Sequence, residues 1–287
     1  MAASLDKGDG DGADHGVPGL ADLLDPSRVC ARSIAARERP DGRALDAFRP
    51  VALEYHDMAS EGSQTLTIAS ATASVGLSRC RSAVLLSVAQ PDEALVSFEV
   101  RRGCLAPDDR WARRVERLLD DSYASDAALD RARLEIAEGA FWKLTVKVIC
   151  LSDDGAAGDC CVLAASAALA RAELPAVAVE DGDVVLAEAG AEAAAAPIPA
   201  RPLPLALLAA PLTCAVFDGV VLADPASNEA AASTTVTVVV AVDPAHRAAP
   251  PGKLLKIAVP GGNFPVPRAG LEACVALAAE RAAAVDF

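Results

Sequence analysis

Phe141-Trp142-Lys143-Leu144-Thr145-Val146-Lys147-Val148-Ile149-Cys150-Leu151-Ser152-Asp153-Asp154-Gly155 is the stretch on which the fold turns. From Phe141 to Leu151, Lys143, Thr145 and Lys147 alternate with Leu144, Val146 and Val148. That is the period-two pattern of a strand with one buried face and one wet face. Asp153-Asp154-Gly155 supplies turn chemistry. Asp159 to Leu174 then runs as an Ala-rich segment that reads as a well-buried helix, since a helix apolar all round belongs inside a protein.

Working outward, strands are predicted at Val51–Tyr55, Thr65–Ile68, Ala83–Val88 and Ala94–Val100, with a tight turn at Glu61-Gly62-Ser63. Asp108 to Tyr123 reads as a helix with Trp111, Val115, Leu118 and Leu119 on one stripe and arginines on the other face. Downstream, strands are predicted at Thr213–Phe217, Val220–Ala223, Thr234–Val242 and Leu254–Val259. Pro260-Gly261-Gly262 then turns into a closing helix from about residue 268 to 284. Upstream, Leu20, Leu23, Leu24, Val29 and Ile34 read as an amphipathic helix interrupted near Pro26. Residues 1–17 are Gly-, Asp- and Ala-rich and are expected to be a disordered tail, leaving 18–287 as one domain; the segment 180–202 is expected to be a short helix or a surface insertion. The order of elements reads as an α+β or mixed α/β domain, with α+β preferred and two β-α halves stacked through their helices.

Composition narrows the function. With 287 residues, 53% of them hydrophobic, the chain can bury a substantial core, although aromatics are only 3%. Forty acidic against 26 basic side chains give a net charge of −14. A free nucleic-acid binder carries a basic footprint, because its affinity comes from neutralising phosphates; here partners or a local patch must supply the positive field. The eight cysteines contain no C-x-x-C pair and His15, His56 and His246 lie far apart, so no zinc site is expected. They read as small buried hydrophobes in a reducing compartment. Neither a signal peptide nor an uninterrupted membrane-spanning run is present: Ile198–Val216 contains Arg201 and prolines. A soluble, intracellular protein without a membrane role is expected.

Chemistry-bearing motifs are sparse. The chain has no P-loop, nucleophile elbow, H-E-x-x-H or G-x-G-x-x-G. Asp153-Asp154 reads as a pair of turn residues ahead of a metal site, Gly261-Gly262 as a turn ahead of a phosphate loop, and Cys160-Cys161 lacks a neighbour that would activate it. Arginines are the enriched polar feature: Arg32, Arg37, Arg39 and Arg43 near the first helix, and Arg79, Arg81, Arg101 and Arg102 in the β-block. They suit either a phosphate-contacting or carboxylate-pairing surface, or a set of solvated or intersubunit ion pairs; the acidity of the chain favours the ion pairs.

Taken in order, these segments resemble the RNase PH-like family, over about residues 18 to 285. Arg39-Pro40-Asp41-Gly42-Arg43 with Phe48-Arg49 resembles its R-x-D-G-R…R entry. Gly62-Ser63, Thr72 and Gly76 resemble its first hairpin, with Ala69 replacing a glycine. Phe141-Trp142, Val148–Gly155, Asp159 and Leu174-Pro175 resemble its long strand, D-G turn, helix and exit. Cys214–Asp218, Asp224-Pro225, Glu229 and Pro260-Gly261-Gly262 resemble the later strand, D-P turn and closing turn of the exosome branch. The resemblance implies an RNase PH-like fold with mixed sheets packed around helices. It also implies a place in a hetero-hexameric ring of RNase PH-like exosome subunits, with RNA-binding cap subunits, an associated exoribonuclease, and RNA threaded through the channel. Residence in the nucleus, nucleolus and cytoplasm follows from the same resemblance. Catalytic members carry an acidic pair near the strand after the D-P turn and a Gly-Ser-Arg phosphate loop. Here the matching stretch is Ala230-Ala231-Ala232-Ser233-Thr234-Thr235, and no Gly-Ser-Arg occurs. The arginine loop after the third strand is shortened to Arg101-Arg102-Gly103-Cys104. The expectation is a scaffold without catalytic residues, metal or cofactor, with Arg79, Arg81, Arg101 and Arg102 as RNA-contact candidates. Two other readings stand beside it: an active phosphate-dependent exoribonuclease using Asp218, Asp224 and Glu229, and an unrelated α+β enzyme whose cysteines matter.

Overall fold

The computed structural model describes residues 26–56, 66–90, 93–103, 109–123, 128–180, 183–186, 198–244 and 252–287. The expected tail at 1–17, the helical positions Leu20, Leu23 and Leu24, the turn at Glu61-Gly62-Ser63, Cys104 and residues 181–182 and 187–197 of the 180–202 segment lie outside them.

Alternation of small or apolar residues with polar ones builds a first sheet of β1 (Val51–His56), β2 (Leu66–Val75), β3 (Ser78–Ala89), β4 (Val96–Arg102), β5 (Glu135–Ala137) and β6 (Ala140–Ser152). Its order is β1-β2-β3-β6-β4, with β5 appended to β6. β4 runs parallel to β6 and the other pairs are antiparallel, so this sheet is mixed. The parallel step requires a crossover, which α2 (Asp109–Tyr123) supplies between β4 and β6. Val115, Leu118 and Leu119 are buried as the stripe predicts, and Trp111 is partly buried against the core.

After β6 comes α3 (Ala157–Ala170), buried along nearly its whole length. Its side chains are mostly Ala, Cys and Ser, so elements can approach it closely from both sides. On one side it meets β2, β3 and β6, and on the other β11 (Leu208–Phe217). Four thiols cluster at this seam: Cys161 Sγ lies 3.4 Å from Cys80 Sγ, and Cys150 and Cys160 stand beside Cys80. Those contacts and burial push the Cys80 thiol up. All seven described cysteines are buried and unpaired by disulfides, as their reading as small hydrophobes requires.

The second sheet has the order β12-β11-β13-β14, with β12 at Val220–Ala223, β13 at Thr234–Val242 and β14 at Leu254–Ala258, every pair antiparallel. β11 and β13 pack against α5 (Arg268–Ala284) as well as the core, which explains their near-continuous apolar runs. α1 (Pro26–Ala35) begins at Pro26, a residue suited to a helix's first turn, and buries Cys30 and Ile34 against Ala215 and Leu222. α4 (Ser227–Ala232) is short, and its Glu229 carboxylate accepts from the Ala226 backbone N–H at 2.8 Å.

Several boundaries differ from the sequence reading. β2 runs on to Val75 and β3 begins at Ser78, where strands were expected at Thr65–Ile68 and Ala83–Val88. The α3 helix stops at Ala170, and Glu173-Leu174 instead forms β7, paired with β10 at Arg201-Pro202. β11 starts at Leu208, well before Thr213, because Pro211 is tolerated: β12 pairs only Cys214–Phe217, so no strand of that sheet needs an N–H on that side at Pro211. At 177–186 a hairpin, β8 (Val177–Glu180) with β9 (Asp183–Leu186), covers the start of the 180–202 segment, which is a strand there and not a helix.

The Pro260-Gly261-Gly262 turn presses directly on β13. Gly262 has φ of 157°, and a Cβ there would lie 2.4 Å from Thr234 Cα. Thr234 Oγ1 meanwhile accepts from the Phe264 N–H and donates to the Phe264 carbonyl. Gly262→Ala should therefore lower stability by about 2 kcal/mol or more, since backbone must move to admit the methyl group. Urea denaturation of the two proteins measures the difference.

Candidate functional site

The N-terminal loop carries Arg39, Arg43 and Arg49 onto the turn that follows β12. Arg39 Nε and Nη2 donate to the two Glu229 carboxylate oxygens at 2.9 and 2.6 Å, a bidentate pair. The remaining Arg39 donors reach the carbonyls of Ala47, Ala223 and Asp224. Arg49 grips Asp224 the same way, with Nε and Nη2 at 2.8 Å, and its backbone N–H donates to the same carboxylate. Its Nη1 donates to Asp154 Oδ2 at 2.8 Å. Arg43 bridges Asp41 and Asp224. Gly76 makes room: a Cβ there would stand 2.6 Å from Arg49 Cδ.

Burial alone would raise the Asp224 carboxyl, but the hydrogen bonds and charge of Arg49, with the charge of Arg281, hold it below the usual carboxylate range. Arg281, on α5, is itself 1% exposed, lies over the Phe48 ring at 5.6 Å, and has no hydrogen-bond partner for its guanidinium. These groups form one charged junction joining the N-terminal loop, the turn after β6, the turn after β12 and α4. Of the four arginines near the first helix, Arg39 and Arg43 are thus carboxylate partners within this chain, in line with the ion-pair reading.

Beside the junction, a cleft of about 250 Å³ opens between α2, the start of α3 and the second sheet. It is lined by Trp111, Arg114, Gly158, Asp159, Thr213 and Thr235, among others, and by Ala230. Of the acid-free stretch 230–235, Ala230 and Thr235 thus line the cleft, whereas Ala231 is exposed. Its carboxylate is Asp159, which accepts from the Thr213 backbone N–H and hydroxyl, each at 2.7 Å. Burial raises this carboxyl, against the pull of Arg281 and Thr213. Among the described residues no group of three or more His, Cys, Asp or Glu is arranged to hold a metal ion. Asp218, Asp224 and Glu229 do not converge. Asp218 sits in the β11–β12 turn with φ of 44°, β12 runs between it and Asp224, and the other two are bonded to arginines.

The four RNA-contact candidates divide. Arg102 turns toward α2, where it pairs with Asp153 and lies over the Trp111 ring at 4.5 Å. Arg79 pairs with Glu54 at 3.0 Å on the opposite, outer face of the sheet. Arg81 and Arg101 share that outer face, both in register with Ile149. Neighbouring positions on a strand face opposite ways, so Arg101 and Arg102 cannot belong to one patch. Sequence reasoning missed Arg281 and the threonines of the cleft, because no local pattern marks a side chain whose partners are distant in the chain.

Residues 48–175 match the sequence profile of the RNase PH family, described as 3′ exoribonuclease family, domain 1. The chain is 29% identical over 167 residues to exosome complex component Rrp42 of Methanothermobacter thermautotrophicus; that stretch spans 52% of this chain and 58%, a little over half, of the relative. Among solved structures, it superposes on a chain of an archaeal exosome core with a TM-score of 0.69 at 22% identity, covering 92% of this chain and 97% of the other. It matches equally well a chain of the Archaeoglobus fulgidus exosome with RNA bound to the active site, with a TM-score of 0.69, 21% identity and coverage of 91% and 96%. Rice (Oryza sativa) Rrp46 matches with a TM-score of 0.52 at 15% identity over 85% and 94%. The fold is that of the RNase PH domain.

Asp224 titrates in a definite direction. Its folded-state pKa lies below that of an unfolded Asp, so its stabilisation is complete above about pH 4 and is lost as pH falls through the folded value. Asp224→Asn should cost about 3–5 kcal/mol at pH 7, because it leaves Arg49 and Arg43 short of their counter-charge. The gap between the two proteins should narrow below about pH 4. Urea titrations at pH 7 and pH 3 measure both.

Proposed function

We propose that this chain is a non-catalytic, ring-building subunit of an RNA exosome. The observation that carries this reading is the fate of its acids. Asp224 and Glu229, the carboxylates beside the turn after β12, are each held bidentately by an arginine, and the stretch lining the neighbouring cleft offers Ala230 and Thr235 in place of acids. A carboxylate bonded to a guanidinium on both oxygens is not free to place a cation or take a proton. Asp159 alone cannot assemble metal-assisted phosphorolysis, and no arginine-bearing phosphate loop precedes α3.

The domain would occupy one place in a hetero-hexameric ring with other RNase PH-like subunits, beneath RNA-binding cap subunits. Its channel would thread RNA toward an associated exoribonuclease, supporting rRNA maturation and mRNA turnover in the nucleus, the nucleolus and the cytoplasm. Names of similar proteins support the assignment: two of the matched structures are exosome cores, one with RNA at its active site. Among paralogues, Pro40-Asp41-Gly42-Arg43, Ala215–Asp218 and Pro260-Gly261-Gly262 favour the position of ribosomal RNA-processing protein 43, with 42 and 45 as rivals; the matched archaeal relative is an Rrp42. Net charge of −14 fits a subunit that leaves the gripping of RNA to its partners. No described helix is long and apolar enough to cross a membrane.

Affinity purification of the tagged protein under gentle conditions should recover other RNase PH-like chains and cap proteins. The purified chain should release no nucleoside diphosphates from an RNA oligonucleotide in phosphate buffer. Recovery of a lone monomer or homo-oligomer would sink the ring assignment, and phosphate-dependent release would restore the active-exoribonuclease reading.

A further inference from the structure

The two faces of the first sheet are unequal. α3 and α2 both pack on one face, through Cys80, Val84, Val146, Phe98 and their neighbours. Register across the other face aligns Glu54, Thr72, Arg81, Ile149 and Arg101 in a single row. Next along β6 on the same face is Leu151. Ile149 and Leu151 are 42% and 43% exposed, large aliphatic side chains standing in water on the long central strand.

The charges around them are unevenly matched. Arg79 has Glu54, and Lys147 has Glu99 at 3.8 Å. Arg81 makes one 3.5 Å contact with the Ser70 hydroxyl, and neither it nor Arg101 has a carboxylate partner among the described residues. Each lies one strand away from Ile149, on opposite sides, so their Cα atoms stand about 10 Å apart. In a chain with 40 acidic side chains, two arginines that flank an exposed isoleucine and have no carboxylate partner among the described residues form a positive site with an apolar centre. Five strands about 4.8 Å apart and about ten residues long give a face of roughly 800 Å², which is one partner's share of a standard protein interface.

We infer that this face docks a neighbouring protein subunit, which lays an apolar side chain on Ile149 and Leu151 and offers carboxylates to Arg81 and Arg101. The inference rests on the ring assignment and names the surface that the ring uses on this subunit. A protein occupant fits better than RNA. Single strands are held by aromatic rings on which bases stack, and this row has only aliphatic side chains between its arginines. An apolar centre with arginines at its rim is the composition of a protein hot spot.

Arginine footprinting with phenylglyoxal, read by mass spectrometry, tests this on the isolated full chain and on the affinity-purified assembly before and after ribonuclease. Modification of Arg81 and Arg101 should slow about tenfold or more in the assembly, with or without ribonuclease, as burial in a protein interface requires. Ile149→Asp should reduce recovery of the neighbouring subunits about tenfold while leaving the thermal midpoint of the isolated chain unchanged, because the site is already wet. An intact assembly in which both arginines react at the free-chain rate overturns the inference and leaves the ring assignment standing. Protection that ribonuclease abolishes overturns it in favour of an RNA platform. Recovery of the chain alone overturns the ring assignment and this inference together.

Discussion

Two carboxylates, Asp224 and Glu229, are almost wholly excluded from water, and the rest of the molecule is arranged so that this is tolerable. An ionised carboxylate inside a protein costs several kcal/mol unless its oxygens are filled by donors of opposite charge. Here the donors come from the loop after α1, and to deliver them that loop must lie across the turn after β12. Arg49 reaches further, to Asp154 in the turn before α3. One set of ion pairs therefore fixes how the N-terminal loop, the first sheet's long strand and the second sheet meet. The left-handed conformation at Asp224, unusual for a residue with a side chain, is held by the same bonds.

The same constraint bears on chemistry. An acid useful to a hydrolytic or phosphorolytic enzyme keeps an open oxygen for a metal or a proton. The junction closes both oxygens of each acid, while the cleft next to it is lined by threonines, a tryptophan, an arginine and one hydroxyl-bonded aspartate. The cleft between the two halves follows from packing α2 and α3 against the second sheet, whatever its lining can do.

How far the sequence discloses this differs by element. β6 and α2 are legible because their apolar residues repeat at the period of the element, and α3 because a helix of Ala, Cys, Val and Leu has nowhere to go but inside. The early start of β11 is hidden by Pro211, whose tolerance depends on how far β12 extends alongside it. The end of α3 is hidden because Glu173-Leu174 obeys a strand partner at Arg201-Pro202. For the junction the limit is distance: Arg39 and Glu229 are 190 residues apart, so the chain shows an arginine cluster and an acid without showing that they meet. The family resemblance supplied the positions, and the geometry supplied their relation.

The seam between α3 and the first sheet places Cys80, Cys150, Cys160 and Cys161 together with no exposure to solvent. In the finished protein these thiols are shielded from oxidants and alkylating agents. During synthesis they are not, because Cys80 and Cys150 leave the ribosome before the second sheet that closes over α3 exists. A single sulfinic or sulfonic group on any of the four would bring a charged, oversized head into a seam made of alanine-sized side chains. Oxidation of these four thiols is therefore confined to the interval before α3 and the second sheet have closed over them.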